Sequence, residues 1–210
     1  MPRLIRRTDV PHYTDYKHYK AYIRIDLKYA CAYCQIHENE FGGPRNFHVE
    51  HYRPRSLFRH LETAYTNLVY GCCVCNSFKS NDWPSDDPIA DGVGYLDPCE
   101  HDYDEHFVQR QFRLIGLSAV ATYMVERLHL NRVQLCKLRE QRALEAERYS
   151  VFCRLFEITL RHLKGQINTL NDIDREVSIQ EIAELKTLFE KHVNRFAARW
   201  EPQIEMEDYS

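Results

Sequence analysis

The chain has 210 residues, 44% of them hydrophobic and 28% charged, with a formal net charge of −3. That length buries one good core, or one core plus a helical lobe. The apolar runs fall short of the roughly 20 residues a membrane helix needs, the charge balance does not announce a free-standing nucleic-acid binder, and no apolar signal core follows the basic start MPRLIRR, so a cytoplasmic protein is expected.

From Asp15 to Leu27 the residues Tyr16, Tyr19, Tyr22, Ile23 and Leu27 form a helical stripe leading into the pair Cys31/Cys34. Glu40 to Asn46 (EFGGPRN) reads as a turn. Phe47 to Tyr52 then reads as a short strand ended by Pro54, and Arg53 to Thr66 as a connecting loop. Leu68 to Tyr70 is a second strand entering the pair Cys72/Cys75, and a helix after Cys75 carries Asn76 and Lys79 and stops before Pro84. Asn81 to Phe107, punctuated by Pro, Gly and acidic residues, is expected as an ordered loop, and Val108 to Leu117 as a strand or hairpin. Ser118 caps a helix to about Leu128. Asn131, with Gln134 in capping-box spacing, caps a longer one to about Leu163, weakened at Gly165. Ser178 with Glu181 forms another box before Ile179, Ile182, Leu185, Leu188, Phe189, Val193, Phe196 and Trp200, an amphipathic last helix. These elements divide the chain into residues 1–117, bearing the sites, and a helical lobe, 118–210.

Eight cysteines without an export signal favour metal over disulfides. Two Cys-x-x-Cys pairs supply four thiolates, the set that tetrahedral Zn²⁺ prefers and that closes the site to water. Cys31, Cys34, Cys72 and Cys75 are assigned as the structural zinc ligands and Cys73 as a packed thiol. Between the pairs lie residues suited to hydrolysing a phosphodiester. His51 is a base whose ordinary pKa lies near neutrality. Glu50 offers the oxygen a hard divalent ion favours. Asn67 stands where a side-chain or backbone carbonyl orients the imidazole, with closing a turn as the plainer alternative. Asn76 is placed to complete the metal site, or to cap a helix. Arg53, Arg55, Arg59 and Lys79 make a basic rim for phosphate, and His48 is read as structural.

The joint pattern CAYC, VEHYRP and TNLVYGCCVCNSFK resembles the HNH endonuclease family over Cys31 to Ser80. The resemblance implies an α+β fold with a ββα-metal core, His51 as general base, Asn67 positioning it, and Glu50 with Asn76 holding one divalent ion. An asparagine at position 76, where the family often has histidine, favours Mg²⁺ or Mn²⁺ over softer ions. The implied reaction is hydrolysis of DNA to 5′-phosphate and 3′-hydroxyl ends. An RNA-cleaving enzyme with the same centre, and an inactive zinc-supported binding module, are the other readings.

The segment ATYMVERLHLNRVQLCKLREQR and the tripeptide Leu96–Pro98 are similar to bacterial HNH proteins paired with ATPases in antiphage modules, such as the nuclease of the Septu system. That similarity implies an ATPase partner docked through the helical lobe. Asp97, Cys99 and His101 are read as plain loop residues.

Overall fold

The computed structural model describes residues 3–167 and 170–198. In chain order the elements are α1 (Lys20–Asp26), β1 (Phe47–His51), β2 (Leu68–Cys72), α2 (Cys73–Lys79), the single turns α3 (Pro88–Asp91) and α4 (Tyr103–His106), β3 (Phe107–Arg110), β4 (Arg113–Gly116), α5 (Ala119–Arg127), α6 (Val133–Ile167) and α7 (Asp172–Ala197). The fold is α+β, with two compact units divided between Arg139 and Glu140.

In the first unit, β1 and β2 pair antiparallel from Phe47↔Cys72 to His51↔Leu68. Every residue of β2 is buried; α1 packs against it, and Ile23 of α1 and Leu27 at its C-cap are buried in the same core. The chain passes directly from β2 into α2. The expected start after Cys75 is thus corrected: Cys72 is the cap, its Sγ accepting the N–H of Cys75 at 3.4 Å. A sulfur at this position satisfies one of the helix's free donors, so the helix absorbs the cysteine pair. Buried ion pairs brace the surrounding loops. Arg24 donates twice to Glu38, at 2.7 and 2.6 Å, and the Tyr70 hydroxyl adds a third bond to that carboxylate.

Residues 81–106 fold as an ordered loop with two helical turns. Its anchor is Asp82, which accepts from the Tyr95 hydroxyl at 2.6 Å, from Arg127 at 3.2 Å and from the Tyr123 hydroxyl. The β3–β4 hairpin follows, and Gly116 lets β4 lie against α5: a Cβ there would come within 2.4 Å of the Thr122 nitrogen. Because α5 buries Val120 and Met124, and its C-cap Leu128 too is buried, in the same core as Leu68 and Tyr95, the first compact unit runs past residue 117 to Arg139.

Ser118 caps α5, as its sequence suggests. Asn131 does not act as the expected cap of α6. Its carboxamide accepts from the Leu114 N–H at 2.7 Å and donates to the Leu114 carbonyl at 2.8 Å, imitating a neighbouring strand along β4. Gly165 does not end α6, which continues to Ile167; one glycine costs a helix only about 1 kcal/mol relative to alanine.

In the second unit, residues of α6 and α7 stack aromatic rings, with centroids 4.2 Å apart for Tyr149–Phe196, 5.6 Å for Phe152–Phe189 and 3.8 Å for Phe156–Phe189. Helix α7 begins at Asp172 with Asn171 as its cap, so Ser178 lies inside the helix and its box spacing with Glu181 is incidental. The packed stripe is narrower than expected. Ile182 is buried and Phe189 and Phe196 half-buried at a seven-residue spacing, while Ile179 and Leu188 are exposed. Trp200 lies outside the described residues. Among the described residues no helix is long and apolar enough to cross a membrane.

Candidate active site and zinc centre

Cys31, Cys34, Cys72 and Cys75 converge as four buried thiols whose sulfurs all lie within 4.8 Å of one another. Cys34 and Cys72 are 3.8 Å apart, Sγ to Sγ. Four sulfurs arranged tetrahedrally about 2.3 Å from one Zn²⁺ would be separated by about 3.8 Å, so this set fits a structural zinc. Two backbone amides already point at the sulfurs, Cys72 N to Cys31 Sγ at 3.3 Å and Cys75 N to Cys72 Sγ. Hydrogen bonds from the Cys31, Cys34 and Cys75 thiols pull the Cys72 thiol far below its ordinary value, while burial pushes Cys31 up. A cation relieves that conflict by taking all four as thiolates. Arg132, which sequence reasoning missed, brings its guanidinium within 3.7 Å of Cys75 Sγ, set against the excess negative charge of a four-thiolate site. Cys73 is half-buried and outside the cluster. Among the described residues no second group of three or more His, Cys, Asp or Glu ligands forms; Asp97 is taken by Arg6 at 2.8 Å and by the Cys99 amide at 2.8 Å.

The same cysteine framework holds the other cluster. Glu50 is 5% exposed, and its Oε1 accepts from the Tyr33 hydroxyl, inside the first pair, at 3.1 Å. The same oxygen lies 3.2 Å from Lys79 Nζ, one turn beyond Asn76 on α2. Here an expectation fails. Lys79 is not on a phosphate-binding rim: it is fully buried, bonded also to the His51 carbonyl at 3.1 Å and stacked on the Tyr95 ring. A lysine is buried this deeply where an acid needs it. Glu50 Oε2, in contrast, is buried without a hydrogen-bond partner, and Gly71 leaves it room, since a Cβ there would stand 2.7 Å away. Burial raises the Glu50 pKa, against the pull of Lys79 and Tyr33. An orphaned carboxylate oxygen in this position fits a ligand to a divalent cation.

His51 ends β1, half-buried. Its Nε2 lies 2.9 Å from the Glu62 carbonyl. A carbonyl only accepts, so Nε2 carries the proton and Nδ1 keeps its lone pair. Burial lowers the imidazole from its ordinary value, the Glu62 carbonyl opposing and Arg55 assisting. The carbonyl orienting the imidazole is therefore that of Glu62. Asn67 clamps the loop that carries it, accepting from the Arg53 N–H at 2.9 Å and donating to the Arg53 and Leu61 carbonyls at 3.1 and 3.4 Å. Tyr16 sets its ring edge-on to His51, with centroids 4.6 Å apart, and Arg55 lies over Tyr16 while bridging to Glu62 at 3.1 Å. The only hint of Tyr16 in the sequence was its place in the aromatic stripe, which spoke for packing. Asp15 turns the chain there by accepting the Lys17 N–H.

Asn76 is half-buried on α2, and its carboxamide makes no hydrogen bond to the described residues, leaving its oxygen available. Arg53 lies over the Phe58 and Trp83 rings, each 5.6 Å from its guanidinium carbon, and Arg55 and Arg59 are exposed on the β1–β2 loop. His48 is exposed on β1.

Residues 31–82 match the family model described as HNH endonuclease. Neither the curated proteins nor the solved structures contain a match to this chain. The HNH segment takes in both cysteine pairs and Glu50, His51, Asn67 and Asn76, and it points to a nuclease; Tyr16 and Arg132 lie outside it.

Proposed function

We propose that the protein is a divalent-metal-dependent HNH endonuclease that hydrolyses phosphodiester bonds of DNA. The observation that carries this reading is the pairing on β1 of an imidazole whose Nδ1 is free, because Nε2 is committed to Glu62, with a buried carboxylate oxygen that has no partner. His51 Nδ1 takes the proton of a water molecule as that water's oxygen bonds to phosphorus. The bond from phosphorus to the 3′-oxygen breaks and that oxygen takes a proton from solvent, leaving 5′-phosphate and 3′-hydroxyl ends. Glu50 Oε2 and the Asn76 carboxamide oxygen would hold one Mg²⁺ or Mn²⁺, which supplies charge stabilisation on the phosphate and the departing oxygen. Tyr33 and Lys79 fix Glu50, Asn67 and Glu62 fix His51, and Arg53, Arg55 and Arg59 stand by as phosphate contacts.

The biological setting we propose is an antiphage defence complex in the cytoplasm, with an ATPase partner docked on the helical lobe. Leu155 and Ile158 of α6 and Val177 and Leu188 of α7 are more than half exposed and support a docking role, as does the chain's net charge of −3, which offers little unaided grip on DNA.

The test incubates zinc-loaded protein with plasmid, single-stranded DNA and RNA, each with and without added Mg²⁺ or Mn²⁺. Cleavage of DNA that requires the added ion and leaves 5′-phosphate ends supports the proposal. Cleavage of RNA alone transfers the same centre to RNA. Binding without cleavage under every condition leaves only the inactive-module reading.

A further inference from the structure

The hairpin side of α2 carries a groove that the centre above does not use. A cavity of about 580 Å³ lies between the β3–β4 hairpin and α5. A second, of about 470 Å³, shares Arg113, Val125, Glu126 and Asn131 with it and reaches Phe78, His129 and Arg132. The charged groups lining the two are Arg110, Arg113 and Arg132 against the single carboxylate of Glu126; with Arg132 turned to Cys75, Arg110 and Arg113 still leave the hairpin end of the groove cationic.

The hairpin tip is where the chain accepts a cost. Arg110 and Arg113 are direct partners across the two strands, and like charges placed opposite one another destabilise a sheet. The two residues between them, Gln111 and Phe112, hold left-handed φ values of +46° and +64°, the geometry a two-residue hairpin turn requires and one that residues with side chains resist. Both arginines are exposed, and neither guanidinium makes a hydrogen bond or ion pair with a described residue. The unpaired like charge at this turn is offset when an anion bridges the two guanidiniums.

We propose that this groove is a second nucleic-acid contact, in which Arg110 and Arg113 grip the phosphodiester backbone and the strand continues towards α2. The inference rests on the nuclease reading for its choice of nucleic acid over an acidic peptide. Two observations favour that choice. His129 is exposed and packs on Phe78, ring centroids 4.6 Å apart, giving an aromatic edge for a base. Phe78 itself belongs to α2, the helix that carries Asn76 and Lys79, so the groove leads to the element that builds the centre. Contacts of this kind hold register without reading sequence.

The test is fluorescence anisotropy with labelled duplex and single-stranded DNA, using zinc-loaded protein with no added Mg²⁺, over a series of salt concentrations. Arg110→Ala/Arg113→Ala is expected to weaken binding and to reduce the slope of log affinity against log salt by about 2, one for each phosphate no longer neutralised. Arg110→Lys/Arg113→Lys keeps the charge and is expected to keep the slope, which separates charge from any disturbance of the hairpin. Arg154→Ala/Arg161→Ala on α6 removes as much charge outside the groove and is expected to leave binding unchanged. The proposal is overturned if the first variant matches wild type, if the α6 variant loses as much, if wild type fails to bind at low salt, or if the first variant instead loses a polyglutamate peptide while keeping DNA. Because binding is read without cleavage, a failed groove and a failed catalytic centre give different results: His51→Ala bears on the second alone.

Discussion

Lys79 shows how much one buried residue decides. Its ammonium is enclosed by Glu50, the His51 carbonyl and the Tyr95 ring, and removing one member of a buried pair strands the other. Lys79→Met is expected to destabilise the zinc-saturated protein by about 3–5 kcal/mol in urea unfolding; a change below about 1 kcal/mol, the worth of a surface pair, would mean that Lys79 does not serve this role. For His51 the sign is equally definite. Its folded-state pKa is lowered mainly by burial, so the imidazole stays neutral, and competent as a base, at pH values somewhat below the ordinary 6.5. The acid limb of the rate profile is expected on that side of 6.5, and a divalent cation nearby would push it the same way. Tyr16→Ala, which uncovers the ring, is expected to move this limb back towards the ordinary value and reduce the rate, whereas Tyr16→Phe, keeping the ring, leaves both near wild type. At this scale the sequence disclosed types and spacing. Two Cys-x-x-Cys pairs and a Glu-His dipeptide declare themselves because their chemistry depends on local spacing. The burial of Lys79, the carbonyl of Glu62 and the ring of Tyr16 depend on how distant segments meet, and no local pattern encodes that.

Among the elements, those with strong local signals lie where the sequence puts them: β1, β2 and α5 behind Ser118; the stretch expected as a strand or hairpin, Val108 to Leu117, is the β3–β4 hairpin. The two capping errors share one cause. Asn131 and Ser178 each sit three residues before a Gln or Glu, but that spacing recurs by chance, and tertiary partners decide whether it is used. Asn131 instead bonds Leu114 in β4, and Asn171 caps α7. Asp82 belongs to this scale, because it ties the end of α2 to Tyr95 and to α5. Partial burial would raise its pKa, yet the Tyr123 and Tyr95 hydroxyls and Arg127 hold it below the ordinary 3.8. A depressed acid contributes its stability above the unfolded value and loses it as pH falls through the folded one. Asp82→Asn is therefore expected to lower stability at neutral pH by roughly 1–3 kcal/mol and to lose less on acidification below about pH 4 than wild type does. An identical acid response in the two proteins would contradict this.

At the scale of the whole molecule, the two units are held by different physics. The first is built around four thiols brought together from two segments far apart in sequence, and metal binding at such a site is folding free energy. The second is held by stacked rings between α6 and α7. Stripping zinc with a thiol-competitive chelator is expected to abolish the near-UV signal of the first unit's tyrosines while much of the helical signal persists. Phe189→Ala is expected to do the reverse, lowering the helical transition without releasing zinc. Catalysis is assigned above all to His51, and the most direct measurement is plasmid cleavage by His51→Ala beside wild type, with zinc content and melting temperature recorded for both. The variant is expected to keep its zinc and its fold and to lose Mg²⁺- or Mn²⁺-dependent cleavage by at least about 100-fold, as removal of a general base does. Undiminished cleavage by a folded, zinc-loaded His51→Ala protein would contradict that assignment.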